Sequence, residues 1–193
     1  MVSPQLIGLG LFVLGAIVFY IFLSGLIWGS GYYPTRRKQL EAAASLLELK
    51  ESDTIYDLGS GFGKAIIFFA KQYGASAVGV EIDPLRCRLT RWNARRHGVS
   101  ANVKVLRGNL LDTDLRQSPK VFFFLTPLLM RRLQEKVARE MPEGGRVVSV
   151  DHRFPDWKPV ESAENVYLYI VPRRTEGSQQ QEAPEFTEAP PNV

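Results

Sequence analysis

No charged residue precedes Arg36, and from Leu6 to Trp28 the chain reads LIGLGLFVLGAIVFYIFLSGLIW, 23 residues with neither acid nor base. That stretch limits the fold more than any other feature, because a chain of 193 residues has little interior in which to cover a helix that is apolar all round. As a helix it would reach roughly 34 Å, enough for a hydrocarbon core of about 30 Å, so a single transmembrane helix is the expectation. A cleaved leader would open with a base and carry a shorter apolar run of about 7 to 15 residues. The opening MVSPQ has no base and the run is longer. Tyr32 and Tyr33, then Arg36, Arg37 and Lys38, follow it. Positive flanks stay on the cytoplasmic face and aromatics favour the interface, which predicts the rest of the chain on the cytoplasmic side.

Beyond that stretch the composition divides the chain again. All 24 Lys and Arg lie between Arg36 and Arg174, against 16 acids, a net charge of +8. The remainder, TEGSQQQEAPEFTEAPPNV, has four Glu, no base and no hydrophobic period able to bury a face. The expected division is an anchor over 1–30, a folded domain over 31–174 and a disordered acidic tail over 175–193. Cys87 is the single cysteine, which excludes an intramolecular disulfide framework or a cysteine-rich zinc site. No metal is expected, and nothing in the sequence specifies an oligomeric state.

Within the domain, apolar strands alternate with amphipathic helices. The strands are predicted over 54–58, 77–80, 103–106, 121–125, 146–151 and 166–171. Helices are predicted over 38–49, 64–73, 84–97 and from Pro127 to near Pro142. Leu40, Ala43 and Leu47 form the buried stripe of the first. Such alternation implies an α/β fold, a mostly parallel sheet with helices on both faces and ligands at the carboxyl ends of its strands.

Asp57-Leu-Gly-Ser-Gly-Phe-Gly63 follows the first strand and opens a helix, the setting in which glycines let the backbone approach a ligand. A dinucleotide fingerprint counted from Gly59 would need glycine where Lys64 stands, and no phosphate-binding G-x-x-x-x-G-K-[ST] is present. Read as D-x-G-x-G-x-G, the loop suits S-adenosylmethionine, which has no pyrophosphate to cradle. Glu81, at the end of the second strand, is placed to accept ribose hydroxyls, a feature that would serve a nicotinamide dinucleotide equally well.

In order, IYDLGSGFGKAIIFFA, GVEIDP, RGNLLDTDL and FFFLTP resemble the class I S-adenosylmethionine-dependent methyltransferases over nearly all of residues 50 to 151. Gly31-Tyr-Tyr-Pro-Thr35 and Arg153-Phe-Pro-Asp-Trp-Lys-Pro159, with the N-terminal helix, resemble the small membrane-anchored protein-lysine methyltransferases of the ADP/ATP carrier and ATP-synthase c-subunit type and their prokaryotic relatives. The resemblance implies a Rossmann-like fold preceded by one transmembrane helix, with S-adenosyl-L-methionine as cofactor. It implies that Asp57, Gly59, Ser60, Gly61 and Gly63 line the methionine moiety and that Glu81 holds the ribose. Asn109, where the family often has Asp, and Leu110 would approach the adenine, while Tyr32, Pro34 and Thr35 fold over the cofactor. Thr126, Pro127 and Trp157 would face the acceptor. Leu125-Thr126-Pro127-Leu128 lacks the Pro-Pro-aromatic sequence of enzymes that methylate planar amide or base nitrogens.

Methyl transfer from a sulfonium is an in-line displacement that mainly needs alignment. A lysine acceptor must first lose a proton, at a cost of roughly 4.6 kcal/mol from a pKa of about 10.4 at pH 7. Apolar walls from Phe124, Pro127, Phe154 and Trp157 would lower that cost by desolvation. Asp151 and His152 are a candidate proton-handling pair, and they read equally as a strand cap and a solvated side chain. Cys87 reads as a packed small side chain.

The basic helices, Arg86 to His97 and Arg131 to Arg139, suit anionic lipid headgroups or plain solvation. Nucleic acid is not expected, since aromatic interleaving is absent apart from Trp92. The expected partners are the bilayer, through the N-terminal helix, and a membrane-protein substrate. A lipid or membrane-partitioned small-molecule acceptor, and a cofactor-binding scaffold without turnover, remain open.

Overall fold

The computed structural model describes residues 3–28 and 35–173, without the side chains of residues 13, 17 and 21–28. Tyr32, Pro34 and the tail lie outside the described residues. The chain runs α1 (Pro4–Trp28), α2 (Arg37–Leu46), β1 (Thr54–Leu58), α3 (Lys64–Tyr73), β2 (Ser76–Glu81) and α4 (Pro84–Arg96). It continues with β3 (Val103–Arg107), a short 3₁₀ turn (Leu110–Asp112), β4 (Lys120–Phe123), α5 (Pro127–Glu140), β5 (Arg146–Val150), β6 (Glu161–Ala163) and β7 (Val166–Ile170).

The seven strands form one sheet in the order β3-β2-β1-β4-β5-β7-β6. β1 to β5 pair in parallel, and β7 is antiparallel to both β5 and β6. The order reverses between β1 and β4, which opens a crevice beyond their carboxyl ends. Asp57 stands opposite Gly79 of β2 and Phe122 of β4, on the central strand beside that crevice.

Alternation along the strands divides the core. On one face Ile55, Ala77, Phe122 and Val148 meet α2, α3 and α4 through Leu40, Ile66, Phe69 and Ala94. On the other, Leu58, Val80, Val121, Phe123 and Val147 meet α5 through Met130, Leu133 and Val137. The stripe expected on α2 is buried, with Leu40 and Leu47 at 1% and 0% exposure, and each such burial contributes roughly 1.5–3 kcal/mol.

Two departures from expectation arise where the backbone turns without a glycine. α2 stops at Leu46 rather than Leu49: Glu48 takes φ 48°, its N–H donates to the Ser45 carbonyl and the Leu49 N–H donates to the Ala44 carbonyl. This is the Schellman closure, with Glu where glycine is usual. β6 is an additional strand, joined to β7 by Glu164 and Asn165, both at positive φ (52° and 60°), the two-residue hairpin geometry that glycine normally marks.

α1 forms one continuous helix whose Leu6, Ile7, Leu9, Leu11 and Phe12 are exposed. Among the described residues no helix is long and apolar enough to cross a membrane; the described side chains of α1 end at Tyr20. The Tyr20 hydroxyl donates to the carboxylate of Asp83 at 2.5 Å, which holds α1 to the start of α4.

Candidate functional site

The loop after β1 is shaped by three left-handed glycines, Gly59 (φ 90°), Gly61 (φ 54°) and Gly63 (φ 79°). The N–H groups of Gly59 and Ser60 donate to the Val80 carbonyl at 2.9 Å, which pins the loop to the end of β2. A Cβ on Gly59 would come within 2.8 Å of Leu125 Cδ2, and one on Gly63 within 2.3 Å of Thr90 Cγ2, so both positions lack room as well as a suitable φ. Gly63 is the N-cap residue of α3, so the free amide groups of that helix's first turn lie at the end of the loop.

Glu81 closes the loop from β2. Its Oε2 accepts the Gly61 N–H at 2.8 Å and its Oε1 accepts the Asp83 N–H at 2.9 Å. An ionised carboxylate has about four acceptor sites, so each oxygen keeps capacity for a ligand hydroxyl. Beside it Asp57 is 3% exposed, and burial, reinforced by the Glu81 charge, pushes its carboxyl up to about 8. Among the described residues neither acid is ion-paired. Two buried acids beside a glycine-lined cradle fit a cationic ligand that carries a sugar.

Ser60 lies over β2, with Oγ where a Cβ on Gly79 would approach to 2.7 Å, and that hydroxyl has no partner among the described residues. Asn109 is exposed and caps the 3₁₀ turn, its Oδ1 accepting the Leu111 N–H at 3.0 Å. Leu110 reaches the cradle, with Cδ2 4.0 Å from a Cβ built on Gly59. Thr35 is buried just ahead of α2.

On the acceptor side Thr126 precedes α5 without capping it, and its Oγ1 is buried with no partner among the described residues. Pro127 opens α5 and is exposed. Trp157 is half-buried, edge-on to Phe154 at 5.6 Å and 6.4 Å from the Tyr169 ring. The four-residue apolar wall is not assembled as expected. Phe124 packs with the α2–α4 side of the sheet, whereas Phe154, 3% exposed, belongs to the α5 side, where the Tyr169 hydroxyl accepts its N–H. The sheet itself separates them, leaving Pro127 and Trp157 as the accessible apolar groups.

Asp151 sits at the end of β5 with φ 61°, and its Oδ1 accepts from Gln39 Nε2 at 3.0 Å. The His152 carbonyl accepts from the Ser149 hydroxyl at 2.6 Å. Among the described residues no hydrogen bond joins Asp151 to His152, so they stand as separate groups rather than a relay. Cys87 is buried and donates to the Glu81 carbonyl at 3.3 Å, and burial raises its thiol, as expected of a packed side chain.

Three contributors carried no sequence signal strong enough to single them out. Gln39 accepts the Arg36 N–H and donates to Asp151, joining the segment before α2 to the end of β5. Thr90 donates to the Gly61 carbonyl at 3.1 Å. Asp83, fully buried, caps α4 by accepting the Leu85 and Arg86 N–H groups; the Asp83-Pro84 pair was its only local signal.

The model of the ANTKMT methyltransferase domain matches residues 57–161. A protein-lysine N-methyltransferase of Saccharolobus islandicus is 32% identical over 149 residues, which cover 72% of this chain and 92% of that protein. The adenine nucleotide translocase lysine N-methyltransferase of Mus musculus is 37% identical over 145 residues, covering 72% of this chain and 62% of that one. A solved RNA methyltransferase of Salinibacter ruber, in complex with S-adenosyl-L-homocysteine, aligns with a TM-score of 0.72 at 29% identity, over 77% of this chain and all of that one.

Proposed function

The chain belongs to the family of the ANTKMT methyltransferase domain and is an S-adenosylmethionine-dependent methyltransferase, and from that premise we propose that it is a bilayer-anchored enzyme that methylates a lysine of a membrane protein. The observation that carries the reading is α1: its apolar side chains stand exposed, and it is fixed to the very helix that follows the ribose-side acid. Water is a poor solvent for such a surface, and a bilayer is the environment that matches it. Arg36, Arg37 and Lys38 then favour a domain on the cytoplasmic side. The relatives named for protein-lysine methylation support the acceptor chemistry.

The bound cofactor supplies a methyl group on a sulfonium, already activated for displacement. The chain's own part is to hold and to desolvate. The glycine loop admits the ligand at backbone distance, Glu81 offers acceptors for ribose hydroxyls and Asp57 supplies negative charge for a cation. Asn109 and Leu110 stand on the adenine side in this reading, with Thr35, Tyr32 and Pro34 closing over the cradle. Pro127 and Trp157 exclude water from an incoming amine, and low dielectric beside a cation lowers the amine's pKa. Asp151 or His152 takes up the released proton through water.

The deciding experiment incubates the full-length protein and Glu81→Ala with tritiated-methyl cofactor and membranes from cells lacking the gene, followed by separation of protein, lipid and RNA. Label in one protein band, at lysine by mass spectrometry and absent with the variant, supports the reading. Label confined to lipid replaces the acceptor. Label in RNA favours the activity named for the Salinibacter ruber structure.

A further inference from the structure

α4 has an outer face that the cofactor cradle does not use. Leu85, Leu89 and Trp92, spaced i, i+4, i+7, are 42%, 36% and 49% exposed on one side of the helix. Arg88, Arg95 and Arg96 are exposed beside them, with the Arg96 guanidinium 4.6 Å from the centre of the Trp92 ring. No Asp or Glu occurs between Asp83 and Asp112. Single exposed apolar side chains are ordinary. A stripe of Leu, Leu and Trp flanked only by arginines is the pattern of a helix lying in a membrane interface.

α1 is attached at the start of this same helix. Because the Tyr20 hydroxyl is bonded to the carboxylate that caps α4, the part of α1 ahead of that attachment runs from Pro4 to Phe19. That length is roughly 24 Å, less than a hydrocarbon core of about 30 Å. A helix pinned at Tyr20 leaves no stalk, so insertion of that part draws the start of α4 down to headgroup level.

We propose that the outer face of α4 is a second lipid contact, on which Leu85, Leu89 and Trp92 enter the headgroup boundary of an anionic leaflet while Arg88, Arg95 and Arg96 meet its phosphates. The proposal rests on the reading of α1 as a bilayer anchor. It differs from simple anchoring in that it fixes which side of the domain lies against the membrane. An RNA strand would use the arginines but has no use for Leu85 and Leu89.

The test labels the full chain with an environment-sensitive fluorophore at Leu89→Cys, Phe12→Cys or, on the exposed side of α5, Glu135→Cys. The parent chain, with its one thiol buried, is the labelling blank. Vesicles of phosphatidylcholine with phosphatidylglycerol should raise the emission at 89 several-fold with a blue shift. Pure phosphatidylcholine should do less, and the probe at 135 should not respond. Combining Arg88→Gln, Arg95→Gln and Arg96→Gln should remove the dependence on anionic lipid. A probe at 12 that enters the bilayer while 89 stays aqueous overturns the proposal and leaves the anchor standing. If neither probe enters, the anchor reading fails and the proposal with it. A response at 89 to RNA and none to vesicles overturns it in favour of a nucleic-acid surface.

Discussion

Asp57 meets opposing demands with and without a ligand. Alone, its buried carboxyl is held protonated by desolvation and by Glu81, far above its ordinary 3.8. Because the folded pKa is the raised one, its stabilising contribution is complete below 3.8 and is lost as pH rises towards about 8. The thermal midpoint of the unliganded protein should therefore fall across that window, and Asp57→Asn should flatten the fall. A cationic cofactor favours the ionised form, so its affinity should rise with pH over the same window. Calorimetry in buffers of different ionisation enthalpy should register proton release that Asp57→Asn abolishes. Glu81→Ala should raise the cofactor Kd by at least about tenfold, since hydrogen bonds to a charged group are worth roughly 1.5–3 kcal/mol each. An unchanged Kd by calorimetry would remove Glu81 from the ribose. The glycines and Glu81 were legible because their types and spacing are themselves the local geometry. Gln39 was not, because its partner Asp151 lies 112 positions away and only the folded sheet brings the two together.

Between elements, the contact of Gly63 with Thr90 locks α3 onto α4. Gly63→Ala meets both a left-handed φ and Thr90 Cγ2, and should cost about 1–3 kcal/mol in denaturant unfolding. Thr90→Ala in the same chain should recover part of that loss, a coupling that a double-mutant cycle measures. At the end of α2, Glu48→Gly should remove a left-handed penalty of about 1 kcal/mol, against the loss of a mostly exposed ion pair with Arg146 worth less. The net expectation is an unchanged or slightly raised thermal midpoint. These turns also explain which boundaries the sequence reading placed well. The end of α4 was marked by Gly98 and the start of α5 by Pro127, whereas Glu48 and Glu164 adopt glycine-like backbones that their residue type does not announce, and Asn165, a residue type that tolerates such a backbone, stands without the glycine that usually follows it. β6, with all three of its residues exposed, offered no hydrophobic alternation to read.

For the molecule as a whole, removal of residues 1–30 should leave cofactor affinity intact and slow methylation of the authentic membranes by about 100-fold or more, because confinement to the bilayer raises effective concentration. Equal initial rates with and without the segment would contradict the anchored reading. The alternation of strands and helices foretold the parallel sheet and its helical layers. The antiparallel return of β7 between β5 and β6 was not visible, since a strand's direction is decided by its connections rather than by its composition. The bond from Tyr20 to Asp83 carries a further consequence for an anchored enzyme. If α1 inserts as proposed, a domain held flush to the surface would search for its acceptor in two dimensions and sample a single depth. A lysine at the waterline would then be presented to it on each lateral encounter, while the same residue raised on an outlying domain of its carrier would pass overhead.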